Sequence, residues 1–323
     1  MHEYAAQGII LQTGWSSGRV HPSVRRRVRS GPMSPTSLAL VLAAAVLHAV
    51  WNVAAKRVVG SSRVFVWLYS TASAVLWLPV GLVILARDGW PDLGVLIGAA
   101  AVSGVLHNLY GIALNTGYAR ADLGIVYPTA RGTGPLLTMA VALLVLGEQA
   151  DAVHVVGGLV VVAGVAVVAS SGATGVDPSR GIAGVRWGAT TGATIAAYTL
   201  WDAFAVTSLG LDPVAYFAFN AVWQSVTLAP ILRNRERRSE AAGMARRHVR
   251  EIALVAVLSP LGYILVLVAM QTTPVALVAP ARESSIVIGT LLACWLFKEP
   301  RPAVKVVGSL VVVAGIALLS VPA

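Results

Sequence analysis

Four ionisable residues stand where the surrounding sequence offers them no water. Arg131 and Arg282 each follow an alanine deep inside long apolar stretches, Glu283 sits beside the second arginine, and Asp202 lies in another such stretch. A charge near the centre of a bilayer costs roughly 2.5–3.5 kcal/mol on insertion scales, so each should face a cavity or a partner rather than hydrocarbon. The arginines could attract an anionic group such as a carboxylate. A carboxylate withdrawn from water can exchange a proton near neutrality, which opens Asp202 and Glu283 to proton coupling. Two plainer roles compete with these: a long arginine stem can snorkel to a headgroup, and Asp202 could form a static salt bridge with an arginine of another helix.

Aromatic and polar residues accompany these charges at helical spacing. His48, Trp51 and Asn52 share one stripe by the i, i+3, i+4 rule, and Tyr198, Trp201 and Asp202 repeat it in a second segment. Tyr127 lies one turn before Arg131, His107 shares a face with Tyr110, and Asn220 with Gln224. Converging, they would form a pocket with aromatic walls and few polar fixtures, as small-molecule sites usually have. Packing or interface-belt duty is the competing role for the tryptophans. The expected substrate set is therefore Trp51, Asn52, Tyr110, Tyr127, Arg131, Trp201 and Arg282, with Asp202 and Glu283 for the proton. No catalytic residue, metal ligand or cofactor is expected: the chain has no P-loop, no His-Glu-x-x-His, no Gly-x-Ser-x-Gly and no cysteine cluster, Cys294 being its one cysteine.

The elements that must position these residues are membrane helices. The chain is 57% hydrophobic and 12% charged, about half the charge a water-facing surface carries. A span needs about 20 mainly apolar residues. That rule predicts helices near 36–56, 64–86, 93–117, 122–146, 152–170, 185–207, 213–232, 251–271, 274–297 and 303–321. Pro128, Gly132, Gly134 and Pro135 in the fourth, with Pro274 and Pro280 in the ninth, predict interrupted helices beside a transport site. The net charge of +10 reflects Lys and Arg clustered between spans. There they act on topology and lipid headgroups rather than on nucleic acid.

The chain also repeats itself. Ala-Val-His-Val-Val-Gly-Gly-Leu-Val-Val-Val-Ala-Gly from Ala152 returns almost unchanged from Ala303, and setting Glu148 on Glu299 brings Arg131 onto Arg282 without a gap. Five spans per unit is an odd number, so the second unit enters the bilayer in the opposite sense. The organisation expected is a polar basic tail over 1–36, a first five-helix repeat over 37–171, a linker over 172–184 and a second repeat over 185–321. Met33 is an alternative start that would leave most of the tail untranslated. Helices 5 and 10 carry glycines on Val/Leu/Ala surfaces and read as scaffold, in a monomer or at a homodimer contact.

Ten spans, an aromatic-polar pair in helices 1 and 6, and a proline-containing fourth helix ending at Gly147-Glu148 resemble the EamA-type transporters of the drug/metabolite transporter superfamily. The resemblance covers about 37–321. It implies an all-α membrane protein of ten transmembrane helices in two inverted five-helix repeats, placed in the plasma membrane among lipids. It also implies alternating-access transport of a small organic metabolite or amphipathic compound, with efflux the commoner direction. The second half departs from the pattern where Ile286 and Lys298 align with Pro135 and Gly147. A lipid-linked sugar flippase on the same scaffold and a non-transporting scaffold or sensor are the rival functions. The family habit places both termini in the cytoplasm, whereas the excess of Lys and Arg in loops 1–2, 3–4, 5–6, 7–8 and 9–10 argues for the opposite orientation.

Overall fold

The computed structural model describes residues 33–55, 57–121, 123–170, 178–288 and 302–321, and among them every regular element is helical. The helices are α1 (Pro35–Ala55), α2 (Ser62–Asp88), α3 (Leu93–Arg120), α4 (Leu123–Leu144), α5 (Ala152–Ser170), α6 (Pro178–Thr207), α7 (Pro213–Leu228), α8 (Arg235–Arg247), α9 (Val249–Met270), α10 (Val275–Ala281) and α11 (Pro302–Leu319). By length and composition α1, α2, α3 and α9 are each able to cross a membrane. The expected tail up to residue 32, most of the linker, Cys294, Glu299 and the end of the ninth span lie outside the described residues.

Local chemistry sets the helix starts. Asp92 accepts the Val95 amide at the start of α3. Asp212 accepts the amides of Val214 and Ala215 at the start of α7, with Pro213 in the first turn, where its missing N–H costs nothing. Pro178 opens α6 in the same way, so that helix begins inside the stretch expected to be linker. The seventh helix ends earlier than expected, at Leu228, and the chain tightens into a 3₁₀ turn over Ala229–Arg233 around Pro230. An additional helix, α8, fills the basic joint expected to be loop. Asn234 caps it, and Ala241 and Met244 bury its one apolar edge against the start of α2. Its seven charged residues kept it from registering as a span.

The helices pack in pairs: α5 with α11, α4 with α6, α1 with α9, and α2 with α7, while α3 lies across α6 and α7. Two seams are built on glycine. On α6, Gly184, Gly188 and Gly192 meet Ile125, Thr129 and Thr133 of α4, and a Cβ on Gly188 would stand 2.5 Å from that of Thr129. In α5 and α11 the arrangement is reciprocal. A Cβ on Gly164 would meet the Gly308 carbonyl at 2.9 Å and one on Gly308 the Gly164 carbonyl at 2.9 Å; Gly157 and Gly315 repeat the relation. The glycines expected to serve scaffold or dimer contact are thus engaged within one chain.

The proline-rich helices behave differently from each other. α4 runs unbroken through Pro128, Gly132, Gly134 and Pro135: Gly134 serves close contact with Ile195 of α6 and Gly132 faces Val162 of α5, neither marking a break. The ninth segment does break. α10 ends at Ala281, and Glu283, Ser285 and Ile286 bond to carbonyls three residues back before helical geometry continues to residue 288. Pro280 contributes no amide, and its ring cannot share space with the carbonyl four residues earlier. The turn falls on Arg282 and Glu283.

Candidate functional site

Between the helix pairs lies a cavity of about 650 Å³. Its walls come from α1 (His48, Trp51, Asn52), α2 (Tyr69), α3 (His107, Tyr110, Asn115), α4 (Arg131), α6 (Tyr198), α7 (Phe217, Gln224) and α9 (Tyr263), with Arg282 and Ser285 below. At one end it reaches the exposed residues Ser62, Arg63 and Pro230. At the other its lining residues Ala44, Val266 and Ser285 are buried. The cavity therefore opens on the face that carries α8 and its arginines.

Arg131 is held from three sides. Its Nη1 lies 3.3 Å from Glu283 Oε1, its Nη2 donates to His48 Nε2 at 3.1 Å, and its guanidinium stands 5.6 Å from the Tyr127 ring centroid. His48 in turn meets Trp51 edge-on. Glu283 is fully buried, and its Oε2 has no hydrogen-bond partner among the described residues. Arg282 is differently placed. Its Nη2 donates to the Tyr198 hydroxyl at 3.3 Å, its guanidinium lies over that ring, and no carboxylate is within ion-pair distance among the described residues. Arg282 thus brings an uncompensated positive charge to the cavity.

Asp202 is fully buried behind the wall. Tyr216 donates to its Oδ1 at 2.6 Å and Tyr263 to its Oδ2 at 2.5 Å. The expected salt bridge to an arginine is not what holds it. His107, whose ring stacks on Tyr198 at 4.2 Å, has Nε2 3.9 Å from Asp202 Oδ2. A polar chain runs on from there: Gln224 donates to Asn220, and Asn220 donates to the Ser103 hydroxyl.

Of the expected substrate set, Trp51, Asn52, Tyr110, Arg131 and Arg282 line the cavity. Tyr127 touches Arg131 from outside the lining. Trp201 faces elsewhere, donating its indole N–H to the Ala99 carbonyl at 2.9 Å and so tying α6 to α3. Asp202 and Glu283 both stand behind the wall, each in contact with residues that line it. Sequence reasoning passed over Tyr69, Tyr216 and Tyr263. Each is a phenol inside an apolar run, which is a signal in itself, because a buried hydroxyl needs a partner.

Two further contacts close the end opposite the mouth. Ser37 meets Thr272 and Thr273 through hydroxyl bonds between α1 and the end of α9. Glu148, beyond α4, accepts the amides of Val275 and Ala276 at 3.1 and 3.0 Å, capping α10 with a charge that suits a helix N-terminus. Burial pushes the Glu148 carboxyl up from its ordinary value, and these two amides pull it partly back.

Comparison with known proteins gives a family match over part of the chain and a fold. Residues 182–321 match the EamA-like transporter family. A solved structure described only as a crystal structure of a protein superposes with a TM-score of 0.67 at 16% identity, covering 87% of this chain and 95% of that one. At this identity the likeness concerns fold alone, and its coverage extends it into the first half, which the family match does not reach. No curated protein sequence matches the chain.

Proposed function

We propose that the chain, whose residues 182–321 match the EamA-like transporter family, is an integral membrane protein of the drug/metabolite transporter type that moves a small organic anion by alternating access. One observation carries the reading: a one-sided cavity, walled by aromatic rings, whose floor presents the unpaired guanidinium of Arg282 beside Arg131. A carboxylate would take the place of the missing counter-ion while the rings cover an apolar body. Arg131, Arg282, Tyr110, Trp51 and Asn52 form the substrate-facing set, with Tyr127 bracing Arg131. A proton moves in each cycle through a buried carboxylate behind the wall, in the plasma membrane, and export, the direction the family resemblance implies, follows the substrate's own gradient.

The proposal includes ten spans in two inverted five-helix units. The swapped pairings support it: with α1 answering α6 and α3 answering α9, the α1–α9 contact and the α3–α6 contact are the same contact seen from the two halves. The reciprocal glycines of α5 and α11 support it again.

The experiment is counterflow in proteoliposomes preloaded with radiolabelled benzoate, hexanoate or glutamate, with tetraphenylphosphonium as the cationic control. Exchange of at least one carboxylate is expected, lost in Arg282→Gln while the folded yield stays near wild type, because no carboxylate is orphaned. Preferential exchange of the cation, or unchanged exchange in Arg282→Gln, would overturn the proposal.

A further inference from the structure

Asp202 poses a problem of charge. It is a fully buried carboxylate, and its two close partners are neutral phenols. An ionised group withdrawn from water needs a counter-charge as well as hydrogen bonds. Among the described residues the one basic group within ion-pair distance is His107.

The orientation of the His107 ring decides what that contact can be. Its Nδ1 lies 3.0 Å from the Ser103 carbonyl oxygen, which has no proton to give, and 3.3 Å from the Ser103 hydroxyl, which can accept from the same N–H; with the carbonyl the nearer, Nδ1 is the donor. A neutral imidazole then has only a lone pair on Nε2, and this atom faces Asp202 Oδ2 at 3.9 Å. Two acceptors face each other, and a proton on Nε2 would bridge them once the ring and carboxylate close by about 1 Å. His107 also lines the cavity, so water entering from the mouth reaches the ring without passing through packed helix.

Resting on the transport reading above, we propose that the transported proton is held between His107 and Asp202 as an imidazolium–carboxylate pair. The proton arrives from cavity water on Nε2, an Nε2–H···Oδ2 bond forms, and the pair passes from one negative charge to none. It leaves by the same nitrogen when the cavity faces the other side. The groups around the pair from each packed element are Tyr198 on α6, Tyr216 on α7, Tyr263 on α9 and Arg282 beyond α10. Of these only Arg282 is charged, and it joins the pair to the substrate: it donates to Tyr198, the ring on which His107 stacks. Loading the proton removes a negative charge that would repel an anion entering beside Arg282, so an anion and a proton favour each other's binding and, by linkage, to an equal extent. Glu283, by contrast, is engaged with Arg131.

The test is nitrogen-15 NMR of the full chain labelled at its six histidines, the His107 signal being identified by its loss in His107→Gln. The expected result is an Nδ1-protonated neutral ring at high pH that takes up one proton as pH falls from 9 to 5. In Asp202→Asn this should need about tenfold more acid or greater. Tyr263→Phe, which keeps the fold's shape and removes a competing donor to Oδ2, should make protonation easier. A ring that stays neutral to pH 5, or a protonation indifferent to both substitutions, overturns the proton site. Benzoate counterflow supplies the second arm. His107→Gln should keep exchange but lose its response to an imposed pH gradient, and a retained response overturns the coupling. A wild-type protein that moves none of the probes sinks the transport reading alone, since the NMR result stands without it.

Discussion

Replacing Arg131 by methionine should cost the fold far more than a surface arginine would. The guanidinium is 12% exposed and its partner Glu283 is 1% exposed, so solvent screens little of the pair. Removing the cation leaves a buried carboxylate with one oxygen already unsatisfied. Breaking a buried pair from one side costs about 3–5 kcal/mol. At ~2–4 °C per kcal/mol for a chain of a few hundred residues, the melting temperature should fall by of order 10 °C. Arg131→Met/Glu283→Gln removes the orphaned charge and should recover at least half of that loss, whereas benzoate binding, which needs the arginine itself, should stay absent in both. Thermal unfolding of purified protein gives the first quantity and stabilisation by benzoate the second. A single variant that melts with the wild type, or a double variant no more stable than the single, would show that the pair does not hold α4 to the α10 turn.

Glu148→Gln should weaken the cap on α10 by about 1 kcal/mol, seen as faster hydrogen exchange at Val275 and Ala276. Because burial raises the folded carboxyl above its unfolded value, its contribution to stability is present at low pH and is lost as pH rises through the folded value. The glutamine variant should flatten that slope, and an unchanged pH profile would refute the assignment. Gly164→Ala places a methyl 2.7 Å from the Val312 backbone and should cost about 1–3 kcal/mol, with Gly308→Ala matching it; melting at the wild-type temperature would contradict the seam. Trp201→Phe should lose about 1 kcal/mol for the bond to Ala99 yet leave benzoate counterflow intact, and a loss of exchange at full stability would return Trp201 to the site.

The helix starts were legible because hydropathy over twenty residues is a local property, and nine of the ten expected helices begin within a few residues of where they were expected. The sixth, starting seven residues early, is the exception, because polar residues can be helical without being apolar. Arg131 and Glu283 were legible as residues out of place, but their pairing was not, since it joins helices 152 positions apart. The stripe rule failed at Trp201 for a geometric reason. Residues 201 and 202 point about 100° apart around a helix, so where Asp202 turns inward to two tyrosines, Trp201 must leave that direction. The tyrosines that receive Asp202 come from α7 and α9, and nothing in the sequence near either names its partner. The break expected in both proline-rich segments occurs in one, because proline and glycine report a tolerance for distortion and packing decides whether it is used.

The glycine seams bear on how such a molecule could change shape. Along α5–α11 a Cβ on each of these glycines would meet backbone amides or carbonyls within 3.0 Å as well as side-chain atoms, and side-chain rotation alone offers no relief there. The α4–α6 seam is closed first by Cβ and Cγ atoms of Ile125, Thr129 and Thr133, with α4 backbone within about 3 Å at Gly188 and Gly192. A sliding or rocking motion would have to lift main chain over main chain at either place, so these four helices behave as a frame of fixed spacing. The α1–α9 contact is looser: even Gly262 leaves a Cβ 3.4 Å of room against the Ala44 carbonyl. Compliance is thus concentrated where His48 and Tyr263 reside. The moving parts of the cycle would carry the residues that touch Arg131 and Asp202, while the two arginines ride on the frame or at its edge.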